Sequence, residues 1–179
     1  MKYLDRSTML QALGLLGRLA QKEGMQLECC IYGGALMLLA YNARESTKDI
    51  DAVIRPREPA LRLVQEVARE MDLPENWLND QVRTFLAPTE RHRRLPLDLP
   101  GLHLTAPTAG YLLSMKALAC RTALPGYTGD LDDLRFLIRK MNIRSVDEIQ
   151  GWIDQYYPDD VLPPAQRETL NLLIEEART

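Results

Sequence analysis

Ile31-Tyr32-Gly33-Gly34-Ala35-Leu36, continued after four more apolar residues and a short polar stretch by Arg44-Glu45-Ser46-Thr47-Lys48-Asp49-Ile50-Asp51-Ala52-Val53-Ile54, decides how this chain folds. It reads as the end of a strand, a Gly-Gly turn, a short apolar helix, a polar loop, and a second strand that carries Asp49 and Asp51. Side chains alternate along a strand, so Asp49, Asp51 and Val53 point one way and Ile50, Ala52 and Ile54 the other. The two carboxylates therefore share a face.

Their Cα atoms would stand about 6.5 Å apart at a rise of about 3.3 Å per residue. At an effective dielectric near 20, two such anions repel by roughly 3 kcal/mol, a cost no fold needs. A divalent cation removes it. Magnesium suits the pair, since it takes one or two carboxylates, waters and substrate phosphates. The bland alternative is a solvent-facing strand end, against which stands the poor fit of Asp to strands.

Gly33 and Gly34 sit upstream at the strand-to-helix junction. Without Cβ atoms they let the N–H groups of the turn and of the first helical residues face an anion. A tight turn alone would also explain them; their value lies in the distance to the aspartates. Metal-binding carboxylates and a phosphate cradle in one short unit point to a nucleoside triphosphate.

Gly-Gly, a helix, and then Arg44-Glu45-Ser46-Thr47-Lys48-Asp49-Ile50-Asp51 resembles the signature of the nucleotidyltransferase superfamily with the DNA polymerase β-like fold, and is most similar to the AbiEii and MenT toxin-like members and a related bacterial domain family. The resemblance implies an α+β core with a C-terminal helical part, glycines on the triphosphate and magnesium on the paired aspartates. It also implies a toxin-like component of a bacterial toxin–antitoxin or phage-defence pair, with tRNA or protein as acceptor and a cognate antitoxin as partner. Tyr111-Leu112-Leu113-Ser114-Met115-Lys116 resembles the motif whose lysine contacts nucleotide phosphates, and Asp130 stands where a further motif has an acidic residue. Nucleotide contacts are thus expected at Gly33, Gly34, Thr47, Lys116 and Asp130. A catalytically inactive binding or antitoxin-like protein with the same fold is the rival expectation.

Asp98, in Leu95-Pro96-Leu97-Asp98-Leu99-Pro100, is the candidate third metal ligand or base, on a strand that its prolines confine to an edge. Lys116 has Leu112, Leu113, Ala119 and Cys120 as helical neighbours, so its ammonium must snorkel or meet an anion. Asp130 and Asp133 open a helix, where capping alone explains them. Arg91, Arg93 and Arg94 read as a solvated loop or, with Arg55, Arg57 and Arg83, as a contact for RNA phosphates. His92 and His103 receive no role.

Bulk composition sets the frame. With 179 residues, 46% hydrophobic and 26% charged, the chain has the size and make-up of an ordinary globular protein. A net charge of −3 gives no global attraction to nucleic acid. No apolar run is long enough to span a bilayer, and Met1–Arg6 lacks an apolar secretory segment, so a cytoplasmic protein without membrane partner is expected. Cys29, Cys30 and Cys120 are an odd count without metal-ligand spacing, which predicts reduced thiols.

Periodicity predicts helices near 7–23, 35–42, 61–71, 107–121, 130–141, 145–157 and 164–177, and strands at 27–32, 49–54, 83–86, 95–100 and 101–105. Trp77–Asp80 is expected as a helical turn. Residues 1–106 would form the nucleotidyltransferase core and 107–179 a helical part packed on it, or the whole a single domain.

Overall fold

The computed structural model describes residues 3–120 and 129–178. The chain is α+β and divides into two compact units, Met1–Thr84 with His92–Ala106 and Phe85–Arg91 with Pro107–Thr179.

In the first unit a five-stranded mixed sheet has the order β5-β4-β2-β7-β6. Its strands are β2 (Leu27–Ile31), β4 (Ile50–Arg55), β5 (Leu78–Asn79), β6 (His92–Arg94) and β7 (Leu102–Pro107). β2 runs antiparallel to β4, with Ile31 opposite Ala52, and parallel to β7, with Leu27 beside Leu102. One face is apolar and sealed: Cys29, Ile31, Ile50, Ala52 and Ile54 are fully buried there. The helices α1 (Arg6–Lys22) and α3 (Arg57–Glu70) pack against each other on this side, and Gly17 of α1 lies against Pro100 and Leu102. The register puts Glu28, Arg55, His103, Thr105 and Asp51 on the other face, where all five keep solvent exposure. An α2 helix (Gly33–Tyr41) leaves the end of β2 directly, and a two-stranded clip, β1 (Leu4–Asp5) with β3 (Ser46–Thr47), pins the loop that follows it.

Asp5, not Ser7, caps α1: its Oδ1 accepts from the Thr8 N–H at 2.7 Å. Trp77–Asp80 is no helical turn; Leu78 and Asn79 form β5 beside Ile50 and Asp51, while buried Trp77 donates to the Val64 carbonyl of α3 at 3.0 Å. The expected strand at 83–86 is a 3-10 helix, Gln81–Phe85. The basic run is an edge strand rather than a loop. The 95–100 segment forms no continuous strand: the Leu95 N–H donates to the Leu104 carbonyl at 3.0 Å and Leu99 makes an isolated bridge to Leu102, while Pro96 and Pro100 have no N–H to offer a ladder.

The second unit is helical. It comprises α4 (Ala109–Ala119), α5 (Gly129–Met141), α6 (Val146–Tyr156) and α7 (Pro164–Arg178). Pro107 ends β7 instead of opening α4, and Arg121, expected in that helix, lies outside the described residues. Ser145 caps α6 as its sequence predicts, accepting from the Glu148 N–H at 3.2 Å. Residues 85–91, expected with the first part, belong here: the Tyr157 hydroxyl donates to the Phe85 carbonyl at 2.9 Å, and the Ala87 N–H donates to the Tyr111 hydroxyl at 2.9 Å.

Candidate functional site

Antiparallel pairing of β2 with β4 decides the site. The chain leaves β2 at the sheet end where β4 begins, so the Gly33-Gly34 turn lies beside Asp51. The Tyr32 N–H donates to the Asp51 carbonyl at 2.8 Å, which closes the junction. Gly33 has φ of +59°, and a Cβ on it would stand 2.7 Å from Asp51 Oδ2. The left-handed backbone therefore favours glycine, and a Cβ there would also crowd the carboxylate against it. A Cβ on Gly34 would meet Thr47 Oγ1 at 2.9 Å and Arg44 Nη1 at 3.1 Å.

Asp49 precedes β4 by one residue and faces the other neighbour. Asn79 is the register partner of Asp51 on β5, and its Nδ2 donates to Asp49 Oδ2 at 3.2 Å. Residues in register share a face, so Asp49, Asp51 and Asn79 are gathered on one side of the sheet end. Burial raises the Asp49 carboxyl above its ordinary value, opposed by the Asn79 hydrogen bond and by the Lys48 charge. That is the electrostatic signature of a half-buried anion short of positive charge.

These donors fit magnesium: two hard carboxylates, one of them destabilised as an anion, next to a turn whose N–H groups suit phosphate. Asp98 does not join them. It lies exposed in the turn before β7, where the Gly101 carbonyl accepts from the Leu27 N–H at 2.9 Å. That is the end at which β2 begins, roughly 13 Å of strand from the glycine turn at about 3.3 Å per residue. On the open face near the site β7 presents Thr105, paired with Cys30, which faces Val53. Among the described residues no three His, Cys, Asp or Glu side chains gather as a metal site.

Lys116 and Asp130 belong to the second unit, where the chain's own carboxylates meet the lysine. Lys116 Nζ stands 2.6 Å from Asp133 Oδ2 and 3.3 Å from Asp130 Oδ1. Asp133 is 1% exposed, so this is a buried ion pair joining α4 to α5, and it satisfies the ammonium without a nucleotide. Of the arginines expected to gather, Arg91 belongs to the second unit and the other five to the first. Arg57 and Arg83 share Asp80 at 2.7 and 3.1 Å, and the Arg93 guanidinium sits 5.5 Å from the Tyr41 ring centroid.

Three neighbours escaped the sequence reading. Asn79 was hidden because a two-residue strand has no period to detect. Arg44 is visible in sequence, but its approach to Gly34 depends on the clip. His92 meets Tyr32, whose hydroxyl lies 2.9 Å from Nε2, and only the sheet order puts them together.

No family model matches the chain, and no curated protein matches it. Among solved structures, it is similar to an antigenic nucleotidyltransferase-like protein from Paracoccidioides brasiliensis, with 14% identity over 95% of each chain and a TM-score of 0.48.

Proposed function

We propose that the first unit is a magnesium-dependent nucleotidyltransferase of the polymerase β-like fold, moving a nucleoside monophosphate from a nucleoside triphosphate to an acceptor hydroxyl. One observation carries the reading: the bare turn closes on Asp51 of the carboxylate pair, with the missing Gly33 Cβ only 2.7 Å from its Oδ2. A polyphosphate held by the turn would lie against whatever Asp49 and Asp51 bind.

Magnesium held by Asp49 and Asp51 would neutralise charge on the departing pyrophosphate. The chain supplies the rest. N–H groups of the α2 terminus orient the phosphates, and the helix dipole favours them. Thr47 places a hydroxyl over the same turn, and Asn79 holds Asp49 in its orientation. The reading uses neither Asp98, which lies at the other end of the sheet, nor Lys116 and Asp130, which are satisfied by their own ion pair.

The acceptor classes we propose are tRNA and protein hydroxyls, in a toxin-like bacterial protein with a cognate antitoxin. That extension rests on the resemblance of the Arg44–Asp51 run. A second reading, a catalytically silent binding module, is favoured by the position of Asp98 far from the carboxylate pair.

Incubation with each labelled nucleoside triphosphate, magnesium, and either total RNA or total protein separates the two. Labelled acceptor that disappears in Asp49→Asn and Asp51→Asn supports the enzyme. Absence of transfer with every nucleotide and acceptor, together with no magnesium-dependent nucleotide binding, leaves the binding module.

A further inference from the structure

Gly34 is bare for a reason its backbone does not impose. Its φ is outside the left-handed region, so a side chain is conformationally allowed, yet the space is taken by Thr47 Oγ1 at 2.9 Å and Arg44 Nη1 at 3.1 Å from the Cβ position. Both groups lie over the first turn of α2. They are brought there by a return loop pinned at each end. At one end Asn42 adopts φ of +52° and the Ala43 N–H donates to the Met37 carbonyl at 3.0 Å. At the other, Thr47 pairs with Leu4 in the β1–β3 clip. Arg44 keeps partial solvent exposure, and it also borders an open cleft of about 580 Å³ with Asp5, Arg6, Ser7, Asn42 and Glu45.

Consecutive glycines of the turn thus face different neighbours. Gly33 faces Asp51 and the metal-binding end; Gly34 faces a guanidinium. A polyphosphate whose reacting phosphorus lies by the carboxylates and whose chain crosses the turn ends at Arg44.

We propose that Arg44 is the residue that reads the terminal phosphate, so that the site takes nucleoside triphosphates and discriminates against diphosphates. A planar guanidinium can bond two phosphate oxygens at once, which an ammonium cannot. This rests on the nucleotidyltransferase reading of the same turn.

Calorimetric titration in magnesium, without acceptor, of all four ribonucleoside triphosphates and their diphosphates tests it. The wild-type chain should prefer the triphosphate of its cognate nucleoside by about tenfold or more. Arg44→Gln should remove that preference by weakening the triphosphate and leaving the diphosphate within about twofold, with Arg44→Lys between. Thermal unfolding confirms that each variant folds, and the lysine variant carries the test if the glutamine one does not. Equal loss for both nucleotides, or no loss, overturns the role of Arg44 and leaves the enzyme reading standing. A wild-type chain that binds no nucleotide overturns both.

Discussion

Asp49 carries a cost that a solvent-facing aspartate would not. Burial raises its carboxyl, so the folded chain holds that proton more readily than the unfolded one. The sign follows: as pH rises through the window between the unfolded value, about 3.9, and the higher folded one, the unfolded chain releases its proton first and stability falls. Asp49→Asn should therefore unfold at a higher temperature than wild type at pH 7 in chelator, with the difference vanishing near pH 3; equal melting at pH 7 counts against a penalty at this residue. The same substitution should abolish any stabilisation by magnesium. Gly33→Ala has two separate faults, a left-handed φ costing about 1–2 kcal/mol for an L-residue and a Cβ driven into the Asp51 carboxylate. Denaturant titration should show a loss above about 1 kcal/mol.

Elements explain what was legible in the sequence and what was not. Long amphipathic helices announce themselves by period, and α1, α3, α5, α6 and α7 lie close to where their apolar stripes put them. The glycine turn and the Asp49–Asp51 strand were readable because local rules forbid them elsewhere: bare glycines between apolar runs, acids in a strand. Asp98 misled for a matching reason. Leu95-Pro96-Leu97-Asp98-Leu99 alternates like a strand, yet alternation cannot say which end of a sheet it adjoins, and the prolines turned it into a hairpin approach. β5 and β6 form only because neighbours offer an edge. Lys116 shows the limit differently: its apolar helical setting left it to snorkel or to meet an anion, and sequence could not tell an internal Asp133 from a nucleotide. Lys116→Met should leave buried Asp133 uncompensated and cost about 3–5 kcal/mol by chemical denaturation. A smaller effect would mean the carboxylate escapes to water. Between α4 and α6 the approach is close, since a Cβ on Gly110 would run into the Trp152 ring at Cε3. Gly110→Ala should destabilise by about 1–3 kcal/mol and shift Trp152 fluorescence, and an unchanged spectrum would show that the helices separate without strain.

At the level of the whole molecule, the Tyr111–Tyr156–Tyr157 cluster holds residues 85–91 within the second unit. The Tyr157 phenol is pushed well above its ordinary range, first by burial and then by Tyr111. Its contribution is whole below the unfolded value of about 10 and is lost as pH rises beyond it, because the unfolded chain ionises first. Tyr157→Phe should flatten the alkaline unfolding curve above pH 10, and a curve identical to wild type would place that dependence on other groups. At neutral pH, loss of the bond to the Phe85 carbonyl should cost about 1 kcal/mol.

That tyrosine-held strap has a consequence for how the halves can be parted. The polypeptide passes between the units at 84/85, again at 91/92 and again at 106/107. A single cut at 106 would therefore strip the helical half of its own seven-residue piece and leave that piece dangling from the sheet half. Neither fragment would be a natural module. Exchange of the helical half for another would need to carry both of its stretches, 85–91 and 107–179, together.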